Sequence, residues 1–418
     1  MNKKPVFSSK EHYINSMNKR VTPCLLLCIS LTVFSGCGSP FMRNIFGDGA
    51  YTGLPGKGTE LDPWIVHNVE TLLHVGKPAS GTKYADWGLD KHYRQVRDIT
   101  LPGSLNWDAI GTISESFKGS YDGFDDQNNK YRTITGLKIA SPPSPYQGMF
   151  GYIAAGATAR NVTLVDIAIT STVDFNGGVA GRNDGIVENC HVTGSILGGD
   201  HTGGVVGSND ASGEIQNCSA AGTVTGFRYI GGVAGNNGNS AKVYNCFAAN
   251  SVASLPGASY GYAGGVVGNN NSLVEYCYAT GGVNGGNFIG GIVGYNGPYA
   301  FIKYCVALNE YVESSHGTER GRVAGKDTSL SGLYGNYGLN PMQTNGFPIE
   351  LGALADENGE NVDSSSNPIS GGYTSLIFWN STMNWTFTPA SDAPWRWTPG
   401  KMPHLFSKDA QDWLPHLK

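Results

Sequence analysis

Apolar and small residues alternate with polar ones in short stretches through the middle of this chain. After Cys190, the residues Val192, Gly194 and Ile196 take every second position, and the units that follow repeat this spacing. Because alternate side chains of a strand point to one face, the pattern predicts short, half-buried strands joined by tight turns. The residues at the intervening position are predicted to point outward: His191, Ser219, Phe247, Tyr278 and Val306.

A repeat organises this alternation. A pentapeptide of the form Gly-Gly-Val/Ile-Ala/Val-Gly recurs, and each copy is followed by an asparagine and then a cysteine. The copies begin at Gly177, Gly203, Gly231, Gly264 and Gly290. The cysteines are Cys190, Cys218, Cys246, Cys277 and Cys305, which lie 28, 28, 31 and 28 residues apart. Degenerate copies begin at Gln147 and Gly321, so the repeat region is assigned to residues 147–337.

A fixed period of this length is typical of a solenoid, in which each unit buries its apolar face against its neighbours. We therefore predict an all-β fold, a parallel β-helix of about ten coils with roughly 28 residues in each. Crossovers between parallel strands are nearly always right-handed. A right-handed β-helix is accordingly expected.

Two columns of the repeat indicate structural ladders. Position six of the repeat holds Asn183, Asn209, Asn237, Asn270 and Asn296. Asparagine suits a tight corner, and its amide can hydrogen-bond to the copy in the next coil. The five cysteines are odd in number, so they are predicted to be a buried ladder of free thiols that pack as small apolar side chains. A metal site is the alternative, but zinc sites use shorter ligand spacings, so no metal and no cofactor are predicted.

The flanks of the repeat are predicted to close its two ends. Residues 51–146 are assigned to an N-terminal cap and the first coils, with short strands at 62–66, 95–101, 107–110, 117–121 and 134–139. Asn68 can cap a helix that carries Leu72 and Val75, and this helix is the candidate lid over the first coil. Residues 338–418 lose the period and contain five tryptophans. They are predicted to form a Trp-rich cap or a small module, with a sugar-binding surface as the alternative role of the tryptophans.

The N-terminus has the pattern of a targeting segment. Lys19 and Arg20 precede an apolar run over 24–34 that is short for a membrane span, and small residues lead to Cys37. This resembles a bacterial lipoprotein signal, which implies a signal peptide over 1–37, lipid on Cys37 and a tether over 38–50. An outer-membrane lipoprotein, periplasmic or surface-exposed, is therefore expected. A plain secretory signal with an incidental cysteine is the alternative.

Composition and motifs narrow the function classes. The net charge is −5 over 418 residues, which disfavours a nucleic-acid partner. Motifs of zinc peptidases, serine hydrolases and phosphate-binding loops are absent from the sequence. Asp122, Asp125 and Asp126 lie close together and could act as the acid and base of a glycosidase, but this turn is rich in Asp and Gly for conformational reasons. Asp174, Asp184, Asp200 and Asp210 occupy different registers, so no facing pair is expected from them.

One further column is the candidate ligand-binding site. Two residues before each pentapeptide stand Phe175, His201, Tyr229, Tyr262 and Phe288. An exposed aromatic ladder of this kind would suit the apolar faces of sugar rings or a partner surface. Stacking between coils, with no ligand, is the alternative. Phe247 and Tyr278, on the outward face, are predicted to offer a second and shorter platform.

The pentapeptides, each followed by Asn and then by Asn-Cys or Tyr-Cys, resemble the GLUG-motif repeats of bacterial surface proteins. The opening segment Phe117–Gly123 and the closing segment Gly400–Leu405 are similar to those of the same family. The resemblance implies a β-solenoid lipoprotein or adhesin-like protein without enzymatic activity. It implies adhesion, or binding of a glycan or surface protein; immunoglobulin-cleaving peptidases that carry GLUG repeats have a separate catalytic domain. A polysaccharide lyase or glycoside hydrolase on this scaffold and a purely structural envelope protein are the alternatives.

Overall fold

The computed structural model describes residues 56–258, 261–315, 319–344, 347–348, 352, 355–364, 372–387, 393–405 and 417. The described part is an all-β parallel solenoid of about ten turns, as predicted from the repeat. The right-handed sense stays a prediction. The signal segment, Cys37 and the tether lie outside the described residues.

The coils of the repeat region pass through four sheets. Sheet 1 stacks ten strands among the described residues, all in parallel register. Its strands are Trp64–Val66, His92–Gln95, Ser120–Asp122, Thr158–Arg160, Ile186–Glu188, Glu214–Gln216, Lys242–Tyr244, Leu273–Glu275, Phe301–Lys303 and Leu333–Tyr334. The central residue of each complete repeat strand, such as Val187 or Ile215, is fully buried.

Sheet 2 follows sheet 1 across a sharp corner. At this corner Asn161, Asn189, Asn217 and Asn245 have left-handed backbone, with φ of 59°, 53°, 55° and 53°. Asparagine tolerates that conformation better than most residues. The described strands of sheet 2 are Ile99–Thr100, Thr133–Thr135, Lys138–Ala140, Thr163–Thr170, His191–Leu197, Ser219–Gly226, Phe247–Ser254, Tyr278–Ala279, Val283–Gly285, Val306–Ala307, Val312–Ser314, Tyr337–Leu339 and Glu360–Val362.

Sheets 3 and 4 are formed on either side of the pentapeptide. The described strands of sheet 3 are Asn176–Gly177, Thr202–Gly203, Ile230–Gly231, Tyr262–Gly264, Phe288–Gly290 and Arg320–Gly321. Those of sheet 4 are Phe150–Ile153, Ala180–Asn183, Val206–Asn209, Ala234–Asn237, Val267–Asn270, Val293–Asn296 and Ala324–Asp327. A Cβ placed on Gly203 would lie 2.0 Å from the carbonyl oxygen of Val206. The turn between the sheets therefore requires glycine, while Val205 and Val206 are buried in the core.

The N-terminal part contains the predicted helix. It runs over Val69–Leu73, and Asn68 caps it by accepting a hydrogen bond of 2.8 Å from the backbone N–H of Thr71. Leu72 and Val75 are fully buried. The predicted strands are shorter in the structure than expected, and the stretch 107–110 contributes only an isolated bridge from Ile110 to Phe150. Within the described residues, no helix has both the length and the apolar character needed to cross a membrane.

The tryptophan-rich segment packs on the side of the solenoid. A π-helical turn, Phe378–Thr382, precedes Trp385. Three antiparallel strand pairs complete the described elements: Phe124–Asp125 with Lys130–Tyr131, Gln343–Thr344 with Phe347–Pro348, and Trp395–Arg396 with His404–Leu405. Trp385 and Trp395 stack at 4.4 Å between ring centroids, and Trp395 lies 5.7 Å from Tyr278.

This packing corrects one prediction. Phe247 and Tyr278 do stack outside the coil, nearly parallel at 5.2 Å, but each is no more than 2% exposed. The Tyr278 hydroxyl donates a hydrogen bond of 2.7 Å to the carbonyl oxygen of Pro403. The expected open platform on this face is therefore wrong, because the returning C-terminal segment covers it.

Candidate binding site

The predicted aromatic column is a continuous ladder in the structure. We define the aromatic ladder as Tyr146, Phe175, His201, Tyr229, Tyr262 and Phe288. Successive ring centroids are 4.6, 4.5, 4.7, 5.3 and 4.7 Å apart. All six side chains are half-buried. Tyr146 was missed in the sequence because its coil carries a degenerate pentapeptide.

The first part of the ladder is closely stacked. The planes of Tyr146, Phe175 and His201 differ by only 10° from one ring to the next. The faces of these rings therefore cover one another, and solvent reaches mainly the ring edges. Burial lowers the pKa of His201, against the opposing influence of nearby aspartates. Over these coils the geometry favours stacking between coils as the main role.

The ladder changes orientation at Tyr229 and Tyr262. Their planes are 72° apart, an edge-to-face arrangement. Tyr262 also lies 5.6 Å from Tyr295, which extends the aromatic surface toward sheet 4. An edge-to-face pair leaves part of a ring face uncovered, whereas a parallel stack does not. This is the section of the ladder best suited to contact a ligand.

Glycine places the ladder close to the coil that follows. A Cβ on Gly207 would lie 2.8 Å from the carbonyl carbon of Phe175, and one on Gly235 would lie 2.7 Å from that of His201. The fifth residue of the pentapeptide must therefore lack a side chain. The repeat motif thus fixes the backbone of the ladder as well as the turn between sheets 3 and 4.

A lateral groove of about 400 Å³ lies beside the ladder, in the loops that join sheet 2 to sheet 3. Its lining includes Leu197, Phe227 and Leu255 as apolar residues and Asp174, Asp200 and Arg228 as charged ones. Asp174, Asp200 and Arg228 each directly precede a ladder residue. These three residues share one position of the coil but not one residue type, so the groove was not predicted.

The charged groups of the groove are ordered. Arg228 Nε donates a hydrogen bond of 2.7 Å to Asp200 Oδ2, and Asp200 is buried. The backbone N–H of Asp200 donates a hydrogen bond of 2.9 Å to Asp174 Oδ1. Asp174 itself is exposed. The guanidinium lies 6.0 Å from the ring of Tyr229, which connects the groove to the ladder.

The candidate catalytic carboxylates are engaged by arginines. Asp122 is paired with Arg160 at 3.0 Å, and Asp126 with Arg94 at 2.6 Å. Asp125 is 1% exposed and accepts a hydrogen bond of 3.1 Å from Arg132 Nε. Each carboxylate is held by a different cation, so these three groups do not form a facing acid and base.

One expectation about the repeat aspartates was wrong. Arg182 brings Asp184 and Asp210 together, at 3.0 and 3.7 Å from its Nε. Tyr152 donates a hydrogen bond to Asp184, and burial raises the pKa of this tyrosine to about 12. Asp184 and Asp210 in fact share one register, since each directly follows one of the paired asparagines Asn183 and Asn209, so both flank the arginine across adjacent coils. Across the described ranges, His, Cys, Asp and Glu side chains do not gather in groups of three or more that would suit a metal ion.

The structure places the two other columns inside the solenoid. Asn183, Asn209, Asn237 and Asn270 each donate from Nδ2 to Oδ1 of the next asparagine, at 2.8, 3.0, 2.8 and 2.8 Å. The chain continues from Asn296 to Asp327 at 2.8 Å. All five repeat cysteines are free and fully buried. The backbone N–H of Cys190 lies 3.4 Å from Sγ of Cys218, and burial raises the pKa of both thiols.

Comparison with known proteins agrees with this architecture. The GLUG motif family matches residues 177–197 and 198–225. The matched segments and the solenoid together identify the class: the chain is a GLUG-repeat β-helix protein.

Two curated relatives match parts of the chain. Halomucin of Haloquadratum walsbyi is 26% identical over 165 residues, which are 38% of this chain and 2% of halomucin. A protein of Evansella cellulosilytica described as "Putative Gly-rich membrane protein" is 31% identical over 144 residues, which are 33% of this chain and 15% of that protein. The matches span only a small part of either relative.

A solved structure shares the fold. The crystal structure of "a putative immunoglobulin A1 protease from Bacteroides ovatus" aligns with a TM-score of 0.54 over 85% of this chain and 95% of that one. Sequence identity is 18%, so the likeness concerns the fold alone.

Proposed function

We propose that this protein is a non-enzymatic cell-envelope protein that binds glycans through the side of the solenoid that carries the aromatic ladder. The observation that supports this most is the ladder itself, which is half-exposed over successive coils and opens at Tyr229 and Tyr262 beside a groove with ordered polar groups. Aromatic side chains give contact area at low conformational cost. Regular repetition lets one extended polymer meet several coils at once.

An envelope location is supported by the names of the relatives, halomucin and a Gly-rich membrane protein. We propose attachment to the outer membrane through lipid on Cys37. Metabolic labelling with a radioactive fatty acid tests this. Incorporation into the wild-type chain and its loss in Cys37→Ser are expected, whereas equal labelling of both chains would refute lipidation at Cys37.

We further propose that both ends of the solenoid are protected. Trp64–Val66 is the outermost described strand of sheet 1, and the helix Val69–Leu73 follows it directly. At the other end, Glu360–Val362 pairs in parallel with Tyr337–Leu339 and extends sheet 2 beyond the last pentapeptide. Exposed strand edges invite pairing with other chains, so covering them keeps the protein from associating end to end.

The glycan proposal is tested with the purified full chain on an array of mucin-type, bacterial and plant glycans. We expect binding by the wild type and its loss in the double variant Tyr229→Ala plus Tyr262→Ala. Phe301→Ala is the matched control, since Phe301 is an exposed aromatic residue on sheet 1, away from the ladder. Unchanged binding by the double variant would contradict a role for the ladder.

The absence of enzymatic activity is tested on the same ligands. Each bound polysaccharide is incubated with the protein and assayed for new reducing ends. We expect none, because the three candidate carboxylates are each paired with an arginine. New reducing ends would establish the glycosidase or lyase alternative instead.

A further inference from the structure

The lateral groove differs from the aromatic ladder because it contains an aromatic ring whose face is exposed. Phe227 is 43% exposed and lines the groove, and among the described residues no other aromatic ring stacks on it. Its face is therefore available, whereas the faces of Phe175 and His201 are covered by each other. Leu197 is 37% exposed beside it and extends the apolar wall.

The charged residues that line the groove supply hydrogen-bonding groups. Asp200 holds the guanidinium of Arg228 through Nε and Nη2, which leaves Nη1 as a donor. Asp174 receives the backbone N–H of Asp200 on Oδ1, which leaves Oδ2 as an acceptor. A donor, an acceptor and an apolar ring in one groove match the vicinal hydroxyls and the C–H face of a pyranose ring.

Two glycines, Gly198 and Gly199, also line the groove. A Cβ on Gly199 would lie 2.7 Å from Asp174 Oδ1 and 2.8 Å from the carbonyl oxygen of Val173. Glycine is therefore needed here for the loops of adjacent coils to approach. The resulting space, about 400 Å³, falls within the range of small-molecule sites.

The charge of the groove selects among sugars. Its described lining carries two carboxylates, Asp174 and Asp200, against one guanidinium, Arg228. Asp200 already neutralises Arg228, so the exposed Asp174 leaves a local excess of negative charge. An anionic sugar would be repelled at this short range, whereas neutral hydroxyls would be accepted.

We propose that the lateral groove is a subsite for a neutral pyranose residue of a glycan, which stacks on Phe227 and hydrogen-bonds to Asp174 and Arg228. This rests on the proposed glycan-binding function and deepens it. Uronic acids, sialic acids and sulfated sugars bind more weakly because Asp174 repels their negative charge. The ladder section at Tyr229 contacts the residues that continue from this subsite.

The test compares neutral gluco-, manno- and galacto-oligosaccharides with oligogalacturonate, using the purified full chain and isothermal titration calorimetry. Wild type is expected to bind at least one neutral series and to bind oligogalacturonate at least tenfold more weakly. Phe227→Ala is expected to lose tenfold or more in affinity for the neutral ligand. Phe301→Ala, which removes a ring of similar exposure (40%), is expected to bind as wild type.

A second variant tests the charge argument. Asp174→Asn keeps the shape of the groove and removes its excess charge, so the preference for neutral over acidic oligosaccharides should narrow at least threefold. Circular dichroism spectra that match the wild type show that the variants are folded. If Phe227→Ala does not fold, the ratio of affinities of Asp174→Asn for neutral and acidic oligosaccharides still tests the proposal.

The outcomes separate the two proposals. Loss of binding in Tyr229→Ala plus Tyr262→Ala, with full binding in Phe227→Ala, overturns the groove and retains the ladder as the glycan site. Tighter binding of oligogalacturonate than of every neutral series overturns the proposed selectivity. Failure of the wild type to bind any glycan on the array or in the calorimeter overturns both the subsite and the proposed function.

Discussion

Asn209 Nδ2 donates a hydrogen bond of 3.0 Å to Oδ1 of Asn237, one coil further along the solenoid. The same amide also reaches the carbonyl oxygens of Gly213 and Lys242 at 3.0 and 3.1 Å. Both asparagines are fully buried. One side chain therefore joins the corner of its own coil to the next coil.

Replacing this side chain should destabilise the solenoid. In Asn209→Ala, Oδ1 of Asn237 loses this donor, Nδ2 of Asn183 loses an acceptor, and the carbonyl oxygens of Gly213 and Lys242 each lose one hydrogen bond. We expect a loss of about 1–3 kcal/mol in the free energy of unfolding, measured by urea titration with circular dichroism. The exposed Asn239→Ala is the control and should change stability by less than about 0.5 kcal/mol. Equal stability of the two variants would contradict a stabilising role of the asparagine ladder.

Arg322 should be the key residue of the last coil. It is 1% exposed, and its guanidinium donates to the carbonyl oxygens of Gly338, Leu339, Asn358 and Gly359 at 2.8–3.2 Å. Burial lowers its pKa to about 10. Arg322→Met leaves these acceptors without their donor, so we expect a loss of at least about 3 kcal/mol in stability.

Two variants make the Arg322 prediction specific. Arg322→Lys should recover only part of the loss, since an ammonium cannot reproduce the planar fork of donors. Arg320→Met, two residues away and half-buried, should stay within about 0.5 kcal/mol of wild type. Hydrogen exchange should show faster opening of residues 337–339 and 360–362 in Arg322→Met. Unchanged exchange there would refute the role assigned to this arginine.

His201 should make the protein less stable in acid. Burial lowers its folded-state pKa below the usual value of 6.5. Well above pH 6.5 the imidazole is neutral in both the folded and the unfolded protein, so its titration does not change the stability. As the pH falls below this value, the unfolded chain takes up a proton that the folded protein does not, so stability is lost until the folded-state pKa is reached.

The contribution of His201 is isolated by comparing urea midpoints at pH 7.5 and 5.5. His201→Phe keeps an aromatic ring in the ladder and cannot be protonated. Its midpoint should fall less between the two pH values than that of wild type. An identical fall in both proteins would show that His201 does not contribute.

Trp395 should hold the C-terminal segment on the solenoid. It is fully buried and lies 6.5 Å from Phe247 and 5.7 Å from Tyr278. Truncating a buried aromatic side chain costs about 3–5 kcal/mol. Trp395→Ala should thus release the segment, seen as proteolysis between residues 372 and 405 and increased binding of a hydrophobic dye. The half-buried Trp397→Ala should have a smaller effect, and equal protease resistance of all three proteins would contradict this packing.

The sequence was most informative where one residue type recurs at one position of the coil. The spacing of the cysteines predicted the solenoid and its coil length, because coils must stay in register to bond to one another. Residues outside that register were harder to place. Phe227 stands in a loop where the other coils have no recurring residue type. Arg228 holds a repeated position, directly before the aromatic ladder, but Asp174 and Asp200 stand there in the two preceding coils, so no single residue type marks it. The position of Trp395 depends on contacts with Phe247, nearly 150 residues earlier, which no local pattern encodes.

The position of Arg322 in the sequence marks the last pentapeptide. Arg322 stands at the second position of the last pentapeptide, where the complete copies have glycine. A Cβ on Gly204 would lie 2.1 Å from the carbonyl oxygen of Gly232 in the next coil, so a side chain is excluded there. No further pentapeptide follows Arg322, and a long side chain fits. A departure from the motif thus indicates the end of the stack.

The bonding between coils also makes them interchangeable. The backbone N–H of Ser219 donates a hydrogen bond of 2.9 Å to the carbonyl oxygen of Cys190, so the end of one unit already lies beside the start of the next. A gene that lost residues 191–218 would join these neighbours directly and keep every sheet, ladder and corner in phase. The solenoid can therefore shorten or lengthen by whole coils during evolution, and the length of its binding side can change without redesign of its core.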